Sequence, residues 1–525
     1  MRGVREAWVA GAIVVSAVLA APAGALRTTV GGRDIDLDAT VAVREVFEAN
    51  RSTTHDRTLE RVRMHAAVAF APWLRFDSTT VATNGGPTMR ARGGGVYDWT
   101  RTFQDLSPAI DFEEAYVDAS FGAVDLRVGK QKIAWGKLDR LAPNDLLNPL
   151  SFIDPFMYEE TERKIGVPAI QASYYAPASL GAPPESRLTA VWVPRYLPYR
   201  FPTGRCDVQG DTSSCHLERW FPPAAVPDPL FRVPAGLLPL PPPIGGSNTA
   251  FTVPLSYRVA NDGLPGFRLE NSGIGLRYSA LVHDADVAAY FYHGFDAQPA
   301  FRLRAEAVGP PPDFTDLPNA DITGATTLTP VFRHIDAAGA DGAYVIDRFT
   351  FRVEGAFVHN RPFARDIHNL VTDPAPLAPA LGEALAKLAA GAGRAAVPLP
   401  NSYAVRDAVE WGAGVDYLYD GYLLLFQFNQ TDVLANNVDL LIADTESRLL
   451  MNVRKSFFAD TLHTQVVTLH AIESDYTLFR PRLTYDLTDH LAAEVGYLLI
   501  AGRRASVLGQ YGRNDQGWLR LEYRI

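Results

Sequence analysis

The feature that most constrains the fold is a two-residue alternation of apolar and polar side chains, repeated in short segments. In YVIDRFTFRVEGAFV, residues 344–358, Phe349 and Phe351 lie on one face while Arg352 and Glu354 lie on the other. A period of two is that of a strand with one apolar and one polar face. Segments of about ten residues are long enough to cross a bilayer as tilted strands. The pattern predicts membrane-spanning strands; the alternative is a soluble sandwich with its apolar faces inward.

Turn signals join these segments into hairpins. Asp420-Gly421 separates two alternating runs, and a second turn is expected around Thr488-Asp489. The chain ends inside a further run, WLRLEYRI, which closes on Ile525. We therefore predict an all-β protein, a transmembrane antiparallel up-and-down barrel of about 16 strands within a range of about 14–18.

The predicted connections are unequal in length. A Pro-rich stretch covers residues 198–264, a second covers 306–324, and an Ala/Leu-rich helix is expected near 381–390. Short turns at one end and long loops at the other are typical of outer-membrane barrels, with the short turns on the periplasmic side. Residues 26–525 are therefore predicted to form one barrel with long surface loops.

The first 25 residues carry an export signal. Arg2 and Arg5 precede an apolar run over residues 7–20, and small residues follow up to Leu26. This order is that of a cleaved signal peptide. The alternative, a retained anchor, is disfavoured because the run is shorter than a span of about 20 residues.

Composition narrows the classes of partner and chemistry. The formal net charge is −10 and no basic block is present, so nucleic acid is not an expected partner. Of the residues, 47% are apolar, too many for a disordered chain. The sequence contains no nucleophile elbow, no HExxH and no phosphate-binding glycine loop, so neither an enzyme nor a cofactor is predicted.

The two cysteines lie close together in an exported chain. Cys206 and Cys215 flank the stretch DVQGDTSS, and a disulfide closing this loop is predicted. The alternative is a metal site that includes His216, although three such residues fall short of a four-ligand set. A calcium loop over residues 207–211 is disfavoured because the twelve-residue ligand pattern is absent.

One strand ends in an unusual polar and aromatic cluster. In LRVGKQKIAWGKLDRLAPNDLLNPLSF, residues 126–152, the alternation gives way after the first residues. LRVGKQKIAWG followed by LNP resembles the signature of a porin-like group of Gram-negative outer-membrane barrels, broadly related to alginate-export-type porins. Their pattern reads roughly G-[RK]-Q-x-x-x-W-G, then D…NP. The matching residues are Gly129, Lys130, Gln131, Trp135, Gly136, Asp139, Asn148 and Pro149.

The resemblance implies a passive outer-membrane channel for small polar or anionic solutes, exported and then inserted by the barrel-assembly machinery through its C-terminal strand. The expected surroundings are outer-membrane lipid. The alternative is a plugged barrel that acts in envelope assembly, export or surface binding through its long loops.

Physical arguments assign roles within the cluster. Gly129 allows close approach of a neighbouring backbone, Gln131 faces the lumen, and Trp135 is expected at the membrane rim. Residues 139–160 are predicted to fold into the barrel and narrow it, with Asn148-Pro149 as a turn. The alternative is a loop on the outer rim.

Charged residues on the polar faces are expected to line the lumen, because a charge facing lipid is costly. We expect Glu354 to pair with Arg352, which leaves Arg348 as the freer charge. These residues either brace the wall or attract anions. The predicted lining charges are Arg127, Arg277, Arg348, Arg352, Glu354, Arg480, Arg482, Asp486 and Glu494.

Overall fold

A computed structural model describes most of the chain. The described residues are 26–30, 33–48, 57–84, 109–152, 156–177, 179, 181–199, 207–209, 212–214, 230–238, 250–259, 265–313, 316–366, 374–503, 506–512 and 515–524. The signal peptide and both Cys206 and Cys215 lie outside these residues, so the predicted cleavage and disulfide stay predictions. The described hairpin between the cysteines pairs Asp207 with Ser214.

The described chain is mostly β-structure. The strands are β1 Leu26–Val30, β2 Arg33–Glu48, β3 Arg57–Ala71, β4 Leu74–Asn84, β5 Ala109–Phe121, β6 Val124–Gln131, β7 Val167–Tyr175, β8 Arg187–Val193, β9 Asp207–Gln209, β10 Thr212–Ser214, β11 Leu230–Val233, β12 Phe251–Val259, β13 Gly273–Val282, β14 Ala285–Phe295, β15 Ala300–Val308, β16 Thr323–Val331, β17 His334–Ile346, β18 Phe349–Ala364, β19 Arg394–Val397, β20 Tyr403–Tyr419, β21 Tyr422–Val433, β22 Thr445–Phe457, β23 Leu462–Ala471, β24 Tyr476–Asp486, β25 Leu491–Gly502 and β26 Gln516–Arg524.

Among the residues that the structure describes, helices are few and short. The α-helices are α1 Glu160–Arg163 and α2 Ala378–Ala389, and single 3₁₀ turns cover Leu269–Asn271, Leu317–Asn319, Ala375–Leu377 and Gly509–Tyr511. In the described part of the chain, no helix combines the length and apolarity needed to span a membrane.

Eighteen strands close into one antiparallel barrel. They are β2 to β8, β13, β14, β17, β18 and β20 to β26, and β26 pairs with β2 to complete the ring. The short β1 adds a hairpin to β2 as the nineteenth strand of the sheet.

The strand number is eighteen rather than about 16, the upper end of the predicted range. The alternation of apolar and polar side chains gives too low a strand number because it is weak in strands such as β17. The outward residues of β17 include Ala338 and Ala340 in place of large apolar side chains. The strands β7 and β8 are also shorter than the spanning segments that the pattern favours.

The two faces of each strand meet different surroundings. On β18, Phe351 and Val353 are 46% and 57% exposed, whereas Glu354 and Val358 are buried. The exposed apolar side chains point outward and form the surface that a bilayer would cover. A barrel of 16–18 strands encloses more space than its own inward side chains can fill.

The two ends of the barrel differ. One end carries tight turns such as Asp420-Gly421, where both residues have positive φ (47° and 71°) and Tyr419 pairs with Tyr422. Positive φ at both central positions is the geometry of the hairpin turn that the sequence predicts. The other end carries long connections, which include those between β6 and β7, β8 and β13, β14 and β17, and β18 and β20.

Three long connections, between β8 and β13, between β14 and β17 and between β18 and β20, build a second, smaller sheet at the long-loop end. Its strand order is β11-β12-β16-β15-β19, with β12 and β16 parallel. The helix α2 contacts β15 and β19 and buries Ala384, Leu385 and Leu388. We call this sheet with α2 the surface subdomain.

The outward face of β18 yields a stability prediction. Val353→Arg places a charge on the lipid-facing surface several residues from the turn, and we expect it to lower the free energy of unfolding by about 2–4 kcal/mol. Ile346→Arg is the matched control, since Ile346 pairs with Phe349 on the same outward face but adjoins the turn at Asp347, where the expected loss is about 0–1 kcal/mol. Guanidinium unfolding in vesicles measures both; equal losses would contradict the assigned lipid face.

Candidate functional site

The connection between β6 and β7, residues 132–166, reaches strands on several sides of the barrel; we call it the crossing segment. Its ends are held together by Asn148, which is buried. The Asn148 Oδ1 accepts from the Ile133 N–H at 2.6 Å, and its Nδ2 donates to the Ile165 carbonyl at 2.8 Å. Gln131, fully buried, donates to the Ala169 carbonyl at 3.0 Å, and the Pro149 carbonyl accepts from Ile165. These hydrogen bonds fix the points at which the crossing segment leaves β6 and rejoins the wall at β7.

Two glycines of the signature permit close approach. At Gly129, φ is 140° and a Cβ would lie 2.4 Å from the Ala115 carbonyl oxygen of β5. At Gly136, φ is 95° and a Cβ would lie 2.6 Å from both carboxylate oxygens of Glu354. Both positions therefore require glycine, for conformation and for space.

The Glu354 carboxylate binds the crossing segment through three backbone N–H groups. One oxygen accepts from Lys137 at 2.8 Å and Leu138 at 3.1 Å, and the other accepts from Asn144 at 2.6 Å. Glu354 lies on β18 and is only 4% exposed. A carboxylate is a strong acceptor for several N–H donors, so this contact holds residues 137–144 against the wall.

Two amides on β21 hold the next part of the segment. Gln427 accepts from the Asp139 N–H and donates to the Asp139 carbonyl, both at 2.9 Å. Asn429 donates to the Leu141 carbonyl at 2.7 Å. The sequence places Gln427 and Asn429 on the polar face of their strand but gives no sign of these partners.

Arg352 belongs to the same site, but its partners differ from the prediction. It donates to the Lys137 carbonyl at 2.8 Å, lies 3.6 Å from Asp139 and forms an ion pair with Asp416. The expected Arg352–Glu354 pair is wrong, because Glu354 is occupied by backbone N–H groups.

Trp135 lies inside the barrel and the predicted rim position is wrong. The side chain is 5% exposed, its ring centroid lies 5.8 Å from that of Tyr290, and it covers Gly275 of β13. The strand β6 ends at Gln131, so the alternation that assigns a face no longer applies four residues later.

A group of arginines on the opposite wall faces acidic residues of the segment. Arg480 and Arg482 of β24 lie 3.5 Å and 3.1 Å from Glu159, which also binds Arg140 at 2.6 Å. Arg61 of β3 pairs with Glu162 and with Glu113. Sequence reasoning predicted Arg480 and Arg482 but missed Arg61, Arg140, Glu159 and Glu162.

Other predicted lining charges form pairs with residues of the barrel wall. Such pairs stabilise the wall. Arg127 binds Asp118 at 2.7 Å, and Arg277 lies 3.4 Å from Asp341. Further pairs are Asp486 with His463 at 2.9 Å and Glu494 with the Trp518 indole at 2.8 Å.

Arg348 does not line the interior. It lies in the turn between β17 and β18, is exposed, and stacks its guanidinium 4.5 Å from the Tyr419 ring centroid. The predicted role of Arg348 as a lumen charge is therefore wrong, because the strand ends at Ile346 and resumes at Phe349.

A polar recess of about 310 Å³ opens beside β5 to β8. Its lining includes Asp118, Asp125, Arg127, Gln171 and Ser173. Charged and amide groups of this kind can supply the polar partners that a water molecule needs. Among the described residues, no group of three or more His, Cys, Asp or Glu side chains is arranged to hold a metal ion.

Glu159 has a shifted pKa. Burial raises the pKa of this carboxyl, but the guanidinium groups of Arg140, Arg480 and Arg482 outweigh burial and hold it below its ordinary value of 4.5. Glu159 is therefore ionised at neutral pH and retains its ion pairs.

No protein-family model and no curated protein matches the sequence. Among solved structures, OccAB1 of Acinetobacter baumannii is 8% identical over 94% of this chain and 97% of its own, with a TM-score of 0.45. OccK8 (OprE) of Pseudomonas aeruginosa is 8% identical over 94% and 98%, with a TM-score of 0.43. A BenF-like porin from Pseudomonas fluorescens Pf-5 is 7% identical over 94% and 98%, with a TM-score of 0.43. At these values the likeness carries no argument about function, which rests on the geometry.

The Glu354 contact yields a prediction. In Glu354→Gln, an NH2 group replaces one of the two carboxylate oxygens that accept from three backbone N–H groups. Buried N–H groups then lose their acceptor, which should lower the free energy of unfolding by about 1–3 kcal/mol. We expect amide hydrogen exchange over residues 137–144 to accelerate about tenfold or more. Glu446→Gln is the control, because Glu446 is also buried in the wall but binds Ser474. Unchanged exchange in Glu354→Gln would contradict the assigned anchor.

The pKa of Glu159 yields a second prediction. Because the folded pKa is lowered, the stabilisation from Glu159 is fully present above about pH 4.5 and is lost as pH falls through the folded value. The difference in unfolding free energy between the native protein and Glu159→Gln should be constant from neutral pH down to about 4.5 and then shrink. A difference that shrinks at higher pH would show that another group carries the effect.

Proposed function

We propose that the protein is a passive channel in the outer membrane of a Gram-negative bacterium, admitting small polar solutes with a preference for anions. The observation that carries this proposal is the crossing segment, held by Glu354, Gln427 and Arg482 across the interior of a closed eighteen-strand barrel. A barrel this wide leaves an aqueous lumen, and a segment inside it sets the size of the passage.

The outer surface and the two ends of the barrel support its proposed place in the outer membrane. An apolar outer surface requires lipid, and short turns opposite long loops give the barrel the orientation of outer-membrane proteins. The predicted signal peptide would supply export, and the resemblance of residues 126–149 to a porin-like group of Gram-negative outer-membrane barrels agrees with it. We propose that β26, which closes the ring, is the strand that the barrel-assembly machinery recognises.

Fixed positive charge supports the anion preference. Arg480, Arg482 and Arg61 lie near the crossing segment, together with Arg454 of β22, whose charge acts on Glu159. Arg454 is exposed and forms no ion pair within the described part of the chain. An unpaired cation beside a narrow aqueous passage raises the local anion concentration.

Electrical recording in planar bilayers tests this function. The native protein should conduct, and its reversal potential in a salt gradient should indicate anion preference. Arg454→Glu should shift selectivity towards cations, more strongly at low salt because screening is then weaker. Arg348→Glu is the matched control: it makes the same charge change in the short turn between β17 and β18 and should leave the reversal potential unchanged. An equal shift of the reversal potential in both variants would contradict the proposed position of Arg454 beside the passage.

A second candidate function is a plugged barrel that acts in envelope assembly, export or surface binding. The observation that favours it is that the crossing segment contacts β3, β14, β18, β21 and β24, on many sides of the interior. A native protein that inserts into bilayers without conducting would support this function over the channel.

A further inference from the structure

The surface subdomain contains a partly open cavity of about 120 Å³ that the proposed channel does not use. Its lining comes from both layers, with Phe251 and Leu303 from the sheet and Leu381 and Leu385 from α2. The cavity lies between the sheet and the helix and is partly open rather than fully enclosed.

Geometry explains why the space is left open. Five strands at about 4.8 Å spacing make a sheet about 19 Å wide, whereas one helix with its side chains is about 10–12 Å across. The helix α2 packs on the β15 and β19 side. The lining extends under β11, β12 and β16, beyond the width that a single helix can cover.

The side chains that line the cavity are mostly apolar. Polar side chains come only from Glu306 and Thr326 among the described lining residues. Glu306 is at the border, with a side chain 44% exposed and Arg394 at 3.6 Å. A water molecule needs two to four polar partners, so this cavity disfavours water.

We propose that this cavity binds a small uncharged apolar molecule of about the size of benzene. A dry cavity of roughly 150 Å³ lined by Leu, Ile and Phe is known to bind benzene or xenon, and this cavity is similar in size and lining. Dense packing is the rule in protein interiors, and a ligand supplies the dispersion contacts that the lining residues lack. The site lies at the long-loop end of the barrel, separate from the crossing segment.

Crystals of the full-length protein, pressurised with xenon or soaked in benzene, test the site. Xenon should give an anomalous peak between α2 and the sheet, and benzene should give density for one ring at the same place. Ala305→Leu adds a side chain into the cavity and should abolish both. Ala386→Leu makes the same change on the exposed face of α2 and should retain both.

A second variant keeps the test decisive if Ala305→Leu disturbs the subdomain. Leu385→Ala removes a lining side chain, so the xenon occupancy should rise. Xenon or benzene absent from native crystals would overturn the proposal, as would binding that persists undiminished in a well-folded Ala305→Leu protein. Xenon bound without benzene would overturn the proposed ligand size.

Discussion

The interior of this barrel depends on one buried carboxylate. Glu354 accepts hydrogen bonds from the N–H groups of Lys137, Leu138 and Asn144, and no cationic side chain is needed to hold it. Burying a carboxylate is costly, and several charge-assisted hydrogen bonds offset that cost. Gly136 is the residue that lets the carboxylate come this close. With residues 137–144 fixed, Asp139 meets Gln427 and Leu141 meets Asn429.

Charge is distributed differently at the other end of the crossing segment. There, guanidinium groups on the wall hold carboxylates on the segment, with Arg482 against Glu159 and Arg61 against Glu162. One end is therefore anchored by a wall anion and the other by wall cations. In the proposed channel, the same arginines would both hold the segment and shape the electric field along the solute path, so the two roles are not alternatives.

The sequence predicts the wall well and the interior only in part. Alternation identifies strands and faces because burial on one side and lipid on the other impose it on every spanning residue. It fails where a strand ends: Arg348 falls in a turn and Trp135 follows the end of β6, so neither has the face that the pattern assigns. It also undercounts strands whose outward side chains are small, as on β17.

Contacts across the interior have no local signal in the sequence. The need for glycine at Gly129 could be argued from its own strand, whereas the three donors to Glu354 lie on a different part of the chain. The residues around Glu354 do not indicate whether its carboxylate binds backbone N–H groups or the side chain of Arg352. The group formed by Arg61, Arg140, Glu159 and Glu162 was missed for the same reason, since it assembles from β3 and the crossing segment.

The separation of these partners along the chain also bears on how the molecule is made. Asn144 and Glu354 are 210 residues apart, and Asp139 and Gln427 are 288 apart. The crossing segment can reach its final position only after β18 and β21 have taken their places in the wall. Contacts between such distant residues carry a large loop-closure entropy until the intervening strands are paired. We therefore expect the locking of the segment to be a late step in assembly, one that follows the pairing of the strands it contacts.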